Sequence, residues 1–130
     1  MAEGIARERL AAEGRAAEVA SAGTHALVGE GAAPSAVVAA QEAGALIIQH
    51  RAAQLTADML ASYDHVYVMT DNHLDAIRRQ FGDVPPNVEL LDPSGAGIAD
   101  PYGQPPAAYR RVRDLIVEAV DERLGDWLNA

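Results

Sequence analysis

The chain has no cysteine, no lysine, one phenylalanine and one tryptophan. Without cysteine there is no disulfide, no thiolate metal site and no thiol nucleophile among these 130 residues. No run of about 18 apolar residues occurs, so no membrane span is expected. The opening MAEGIARERL is charged within its first turns and lacks the apolar stretch of a secretion signal, which makes a cytoplasmic location the default expectation. The ten basic residues are all arginine and face 19 acidic ones, for a net charge of −9. That balance argues against nucleic-acid partners, which need a basic face, yet leaves room for a local phosphate pocket. Together with abundant alanine and glycine, the use of arginine alone reads as a GC-rich coding sequence. The four histidines show no metal-ligand spacing, so neither a metal nor another cofactor is expected.

What is present is a packing sequence. Hydrophobic residues make up 49 % of the chain, enough for one domain spanning residues 1–130. Helical patterning covers residues 1–12, with Ile5 and Leu10, and Gly14 as its stop. Residues 17–22 form a short apolar strand candidate. Pro34 suits the first position of a helix through Ala43, closed by Gly44. Thr56 is placed to cap a short helix with Met59 and Leu60. Residues 65–69, HVYVM, are the clearest strand, followed by a helix opened by Thr70 or Asp71, carrying Leu74, Ile77 and Phe81, and stopped by Gly82. Residues 88–91 are the next strand. A last helix beginning near Pro106 carries Val112, Leu115, Ile116, Ala119, Val120 and Leu124 at helical spacing. In that helix Arg110, Arg111 and Arg113 read as a solvated face, and Trp127 as a cover for the edge of the core. Alternating strand and helix predict an α/β sandwich with a short parallel sheet.

Two features are unexpected. The first helix opens on the first residue, with no capping side chain and a free amino group opposing its dipole, which leads us to expect a missing segment ahead of it. The stretch GIADPYGQPPAAY, residues 97–109, holds the lone carboxylate of Asp100 on a corner stiffened by glycine and proline.

Several motifs occur in one order that resembles the low-molecular-weight protein-tyrosine phosphatases of bacterial type. Met1-Ala2-Glu3-Gly4-Ile5-Ala6 resembles the helix that follows their Cys-x5-Arg-Ser-Pro phosphate loop. Ser21-Ala22-Gly23-Thr24 looks like their S-A-G-T, and His50 through Thr56 is similar to H-x-A-R-Q-L-T, with Ala53 where many members have arginine. Met69-Thr70-Asp71-Asn72-His73 matches M-T-x-x-H, and Asp100-Pro101-Tyr102-Gly103 matches D-P-[FY]-G. The match runs from Met1 to about Leu124.

The resemblance implies a three-layer α/β sandwich and hydrolysis of phosphotyrosine, or of phosphoarginine, through a cysteinyl phosphate, on a phosphorylated protein or a small aryl phosphate. It implies Asp100 as general acid, Tyr102 against the substrate ring, and Ser21, Thr24 and His73 as supports of the phosphate loop; His50 reads as a hydrogen-bonded structural residue. It also implies that the first, central strand and the Cys-x5-Arg loop are absent here, so the 130-residue chain is expected to be inactive and incomplete, most simply through a start placed too late. A central strand buries some four or five large side chains at about 1.5–3 kcal/mol each, comparable to a whole domain's stability of about 5–15 kcal/mol. The alternative is a pseudophosphatase that binds a partner without catalysis. Arsenate reductases related to the family need further cysteines, which this chain lacks. Nothing in the sequence marks an oligomeric state.

Overall fold

In the computed structural model, residues 1–128 are described. Five helices and two strands follow in the order α1 (Ala2–Ala12), α2 (Pro34–Glu42), α3 (Ala57–Ser62), β1 (Val66–Val68), α4 (Asp71–Phe81), β2 (Val88–Leu90) and α5 (Pro106–Leu128). The strands pair in parallel, Val66 opposite Val88 and Val68 opposite Leu90, which makes a short two-stranded sheet.

Helices cover both faces of that sheet. On one side Ile5 of α1, Ala39 and Ala40 of α2 and Ile116, Ala119 and Val120 of α5 form a buried cluster with Leu91, Ile98 and Tyr109. Alanines on α2 let it lie close to α5, since a side chain that ends at Cβ adds little thickness between helix axes. On the other side Leu60 of α3, Ile77 of α4 and the strand residues Val68 and Val88 form a second cluster. The alternation of a strand explains the split: Val66 and Val68 face α3 and α4, whereas Tyr67 packs toward the α1–α5 layer.

The caps follow the sequence signals. Thr56 Oγ1 accepts the Met59 N–H at 3.2 Å, and Pro34 occupies the first turn of α2. Gly82 ends α4 at φ 87°, a left-handed conformation that other residues rarely adopt. Trp127 covers the edge of the core, its Nε1–H donating to the Tyr67 hydroxyl at 2.8 Å while Arg123 stacks 5.2 Å above the Tyr67 ring.

Three expectations need correcting. Residues 17–22 are not a strand, because no strand lies beside them to supply a ladder; Val19 offers its carbonyl to Arg7 at 2.7 Å instead. Leu115 is 49 % exposed, one residue and so about 100° around the helix from buried Ile116. Arg110 and Arg111 are exposed as expected, but Arg113 is drawn in, and both Arg110 and Arg113 donate to the Glu42 carboxylate and thereby clamp α2 to α5.

Between residues 16–22 and β1 lies an open trough of about 1060 Å³. Leu10, Ile116 and Val120 line it from one layer, and Met59 and Ile77 from the other. Its two walls run the same way. Glu18 meets Tyr63, just ahead of β1, at 3.1 Å, while Ser21 meets Glu3 in the first turn of α1 at 2.9 Å, at the end where β1 finishes.

Candidate active site

One end of the trough gathers the start of α1, Ser21, His50, Met69, His73 and Asp100. The first turn of α1 brings backbone N–H groups that no residue within the helix can accept, and with them the positive end of the dipole. Such a terminus favours an anion. The Met1 amino group is held below its ordinary range by burial, which outweighs the opposing pull of the Glu3 and Asp100 carboxylates. Asp100 lines the same trough as the start of α1, reaching it from a loop far away in the chain.

That loop is built by local chemistry. Asp92 Oδ1 accepts from the Ser94 hydroxyl and N–H at 2.8 and 2.9 Å, and these bonds, the hydroxyl's above all, hold its carboxyl below the usual carboxylate range. Gly97 at φ 80° turns the chain, and Ile98 then donates its N–H to Met69. Asp100 stays exposed while its Oδ1 accepts the Tyr102 N–H at 3.0 Å. The Gln104 N–H donates to the Pro101 carbonyl at 2.9 Å, closing a turn whose third residue, Gly103, has φ 79°. Tyr102 sits at the corner of this turn and is 79 % exposed, free to lie against a bound group.

The other sequence candidates fall on two sides. His73, in the first turn of α4, accepts the N–H groups of Met69 and Thr70 on Nδ1 at 3.3 and 3.2 Å. In the neutral ring this assigns the proton to Nε2 and leaves that nitrogen as a donor. Ser21 donates to Glu3 Oε1, so it holds the trough wall to α1. His50 lies 3.7 Å from the other oxygen of Glu3. Thr24 stands apart in its contacts: its carbonyl accepts from the side-chain amides of Gln54 and Gln80, both at 2.8 Å.

Glu3 and Gln54 are contributors that residue-by-residue reasoning passed over. Glu3 joins α1, Ser21 and His50 at the mouth and pairs with Arg7 at 3.2 Å. Gln54 accepts the Ala26 N–H at 2.9 Å as it donates to Thr24, which fixes the turn after residue 22. The position of Gln54 within the HRAAQLT motif was the available signal. Among the described residues, no group of three or more His, Asp or Glu is arranged to hold a metal ion. No helix among them is long and apolar enough to cross a membrane.

A carboxylate on a rigid turn thus shares one trough with the first turn of α1. Residues 1–129 match the low molecular weight phosphotyrosine protein phosphatase family, and the chain belongs to it. It is 34 % identical over 115 residues to a probable low molecular weight protein-tyrosine-phosphatase, AmsI, of Erwinia amylovora, spanning 87 % of this chain and 77 % of that one. A protein-arginine-phosphatase of Geobacillus stearothermophilus is also 34 % identical over 115 residues, 85 % of this chain and 76 % of the relative. The crystal structure of a low molecular weight protein tyrosine phosphatase from T. tengcongensis superposes with a TM-score of 0.88 at 27 % identity, covering 96 % of this chain and 88 % of that one. The fold is the α/β fold of that family, a short parallel sheet enclosed by helices.

Proposed function

We propose that this chain serves the hydrolysis of phosphotyrosine or phosphoarginine in proteins, with Asp100 as the general acid and with the nucleophilic thiol supplied from outside these 130 residues. Residues 1–130 are then a single phosphatase-like domain. The observation that supports the reading is that Asp100 and the first turn of α1 line the same trough.

The reaction takes two displacements. A cysteine thiolate bonds to phosphorus as the bond to the leaving oxygen or nitrogen breaks, and the Asp100 carboxylic proton goes to the leaving atom. Water then attacks phosphorus, the sulfur–phosphorus bond breaks, and the Asp100 carboxylate takes the water proton. Tyr102 lies along the substrate side chain, and His73, with Ser21 and Thr24, supports the loop that holds the phosphoryl oxygens. Family membership and the two relatives, a probable protein-tyrosine-phosphatase and a protein-arginine-phosphatase, support both substrate classes.

The test is an aryl phosphate assay on a longer chain that carries a Cys-x5-Arg segment ahead of Met1. That chain should turn over, Asp100→Asn should lower kcat by about 10²–10⁴-fold, and the 130-residue chain should be inert. Turnover by the short chain, or an unaffected Asp100→Asn, rejects the assignment. The absence of a thiol favours one second reading, a module that binds without catalysis; a longer chain that binds an aryl phosphonate yet leaves the phosphate intact would select it.

A further inference from the structure

The segment 23–31 is fastened at both ends to the stretch 51–55. Gly23 donates its N–H to the Ala53 carbonyl at 2.8 Å and accepts the Leu55 N–H at 2.9 Å. At the other end the Gly29 N–H donates to the Ala52 carbonyl at 2.9 Å, and the Ala52 N–H to that of Glu30 at 2.8 Å. Residues 24–29 are therefore a loop closed at its base, and Gln54 fills its neck. Its Oε1 accepts the Ala26 N–H while its Nε2 donates to the Thr24 carbonyl, so one amide satisfies a donor and an acceptor of the same loop. Gln80 of α4 donates to that Thr24 carbonyl as well. What the loop presents is apolar: Leu27 and Val28 are 74 % and 71 % exposed. The pairing of Gly31 with Arg51 sets the turn 47–50 next to it, closed by the His50 N–H on the Ile47 carbonyl at 3.0 Å. Ile47 and His50 line the trough, and Ile48, between them on the turn, is 69 % exposed.

We propose that Gln54 is a positioning residue of the phosphatase site. By fixing the 24–29 loop it sets Val28 on the same rim as Ile48, an apolar rest for the residues that flank the phosphorylated one in a protein substrate. Large apolar flanks are then preferred over polar ones. Three observations support this. Large apolar side chains on two stitched turns contribute little to the core while exposed, and such a patch beside a site marks a surface for a partner. The patch is continuous with the mouth, since Thr24 on one turn and His50 on the other both line the trough. The carboxylates nearby, Glu30 on the loop and Glu3 and Asp100 at the mouth, disfavour an acidic flank. The inference rests on the phosphatase reading, whose protein substrate is the occupant, and extends it to the residues on either side of the phosphorylated one.

The test compares two phosphotyrosine peptides, one with leucine on both sides of the phosphotyrosine and one with serine, on the longer chain that carries a Cys-x5-Arg segment. A small aryl phosphate is the reference substrate. The leucine peptide should have the higher kcat/KM by about fivefold or more, with the difference in KM. Gln54→Ala should shrink that preference to about twofold or less, and so should Val28→Ser combined with Ile48→Ser. Adding Gln54→Ala to the serine pair should change the preference no further, because the glutamine acts through the rim. The serine pair alters exposed side chains alone, so it reads the rim even if Gln54→Ala fails to fold. Hydrogen exchange of the Ala26 amide in Gln54→Ala should quicken by about tenfold relative to amides of α5. Equal kcat/KM for the two peptides, a preference that survives either substitution, or unchanged Ala26 exchange overturns the proposal. Turnover of the aryl phosphate without a flank preference removes this inference alone; no turnover of any of the three substrates removes the phosphatase reading and the inference with it.

Discussion

The backbone N–H of Ile98 donates to the carbonyl of Met69 at 2.8 Å, which fastens the loop bearing Asp100 to the residue that follows β1. The contact depends on Gly97, whose φ of 80° no other residue type adopts without strain. A β-carbon there would also stand 3.2 Å from the same Met69 carbonyl oxygen. Gly97→Ala is expected to lower stability by about 1–3 kcal/mol, read as a lower urea midpoint. An unchanged midpoint would show that the loop rearranges without cost and that the acid is not fixed by this turn.

Gly4 sets two effects against each other. Alanine in a helix interior is favoured over glycine by about 1 kcal/mol. Here, however, the added carbon would lie 2.5 Å from Ile47 Cγ2, a methyl on a branched side chain that is itself buried. Overpacking of this kind costs about 1–3 kcal/mol, and the branch at Cβ leaves Ile47 little freedom to turn away. Gly4→Ala is therefore expected to destabilise on balance, in thermal or urea unfolding. Gly125 on α5, whose β-carbon would meet nothing within 4 Å, supplies the contrast: Gly125→Ala should stabilise by up to about 1 kcal/mol.

What the sequence made legible was local. Thr56, Gly82 and Pro34 mark helix ends because a cap or a breaker acts on its own neighbours, and each falls where those residues place it. The apolar run at 65–69 became β1 because β2 lies beside it to complete a ladder. Residues 17–22 have comparable patterning and fail to become a strand for want of such a neighbour, a fact about the rest of the chain that no local reading contains. The site divides likewise. The turn that carries Asp100 and Tyr102 follows from the glycine and prolines of its own stretch, whereas Glu3 acquires its contacts only when Ser21 and His50 fold against it. Arg113, read as solvated, is drawn in by a Glu42 that lies 71 positions away.

Tyr67 and Trp127 offer a test of how the C-terminal end of α5 is held. The Trp127 Nε1–H donates to the Tyr67 hydroxyl, and burial is the main influence holding that hydroxyl above its ordinary pKa of 10.0. Tyr67→Phe removes the acceptor and keeps the ring beneath Arg123. The expected cost is about 1 kcal/mol, the net worth of one partly buried hydrogen bond. Trp127 is the one tryptophan, so its fluorescence reports the change directly. Unfolding followed at that signal should shift, with the emission of the native state moved as well; identical curves would assign the hold on α5 to packing and to Arg123 instead.

The Glu42 clamp predicts a pH dependence with a definite sign. Hydrogen bonds from Arg110 and Arg113, that of Arg110 first, hold the Glu42 carboxyl below its ordinary value of 4.5. A carboxyl whose folded pKa is depressed binds fewer protons in the folded state than in the unfolded state, so stability rises with pH across the gap between the two values. Its contribution is complete above 4.5 and is lost as pH falls through the lower, folded value. The group is exposed, which keeps the effect small and sensitive to salt. Glu42→Gln should lower the urea midpoint near neutral pH, and the gap from the parent chain should close on acidification and narrow in concentrated salt. A gap that persisted unchanged into acid would mean that α2 is held to α5 by its buried alanines, with the charged pair contributing nothing.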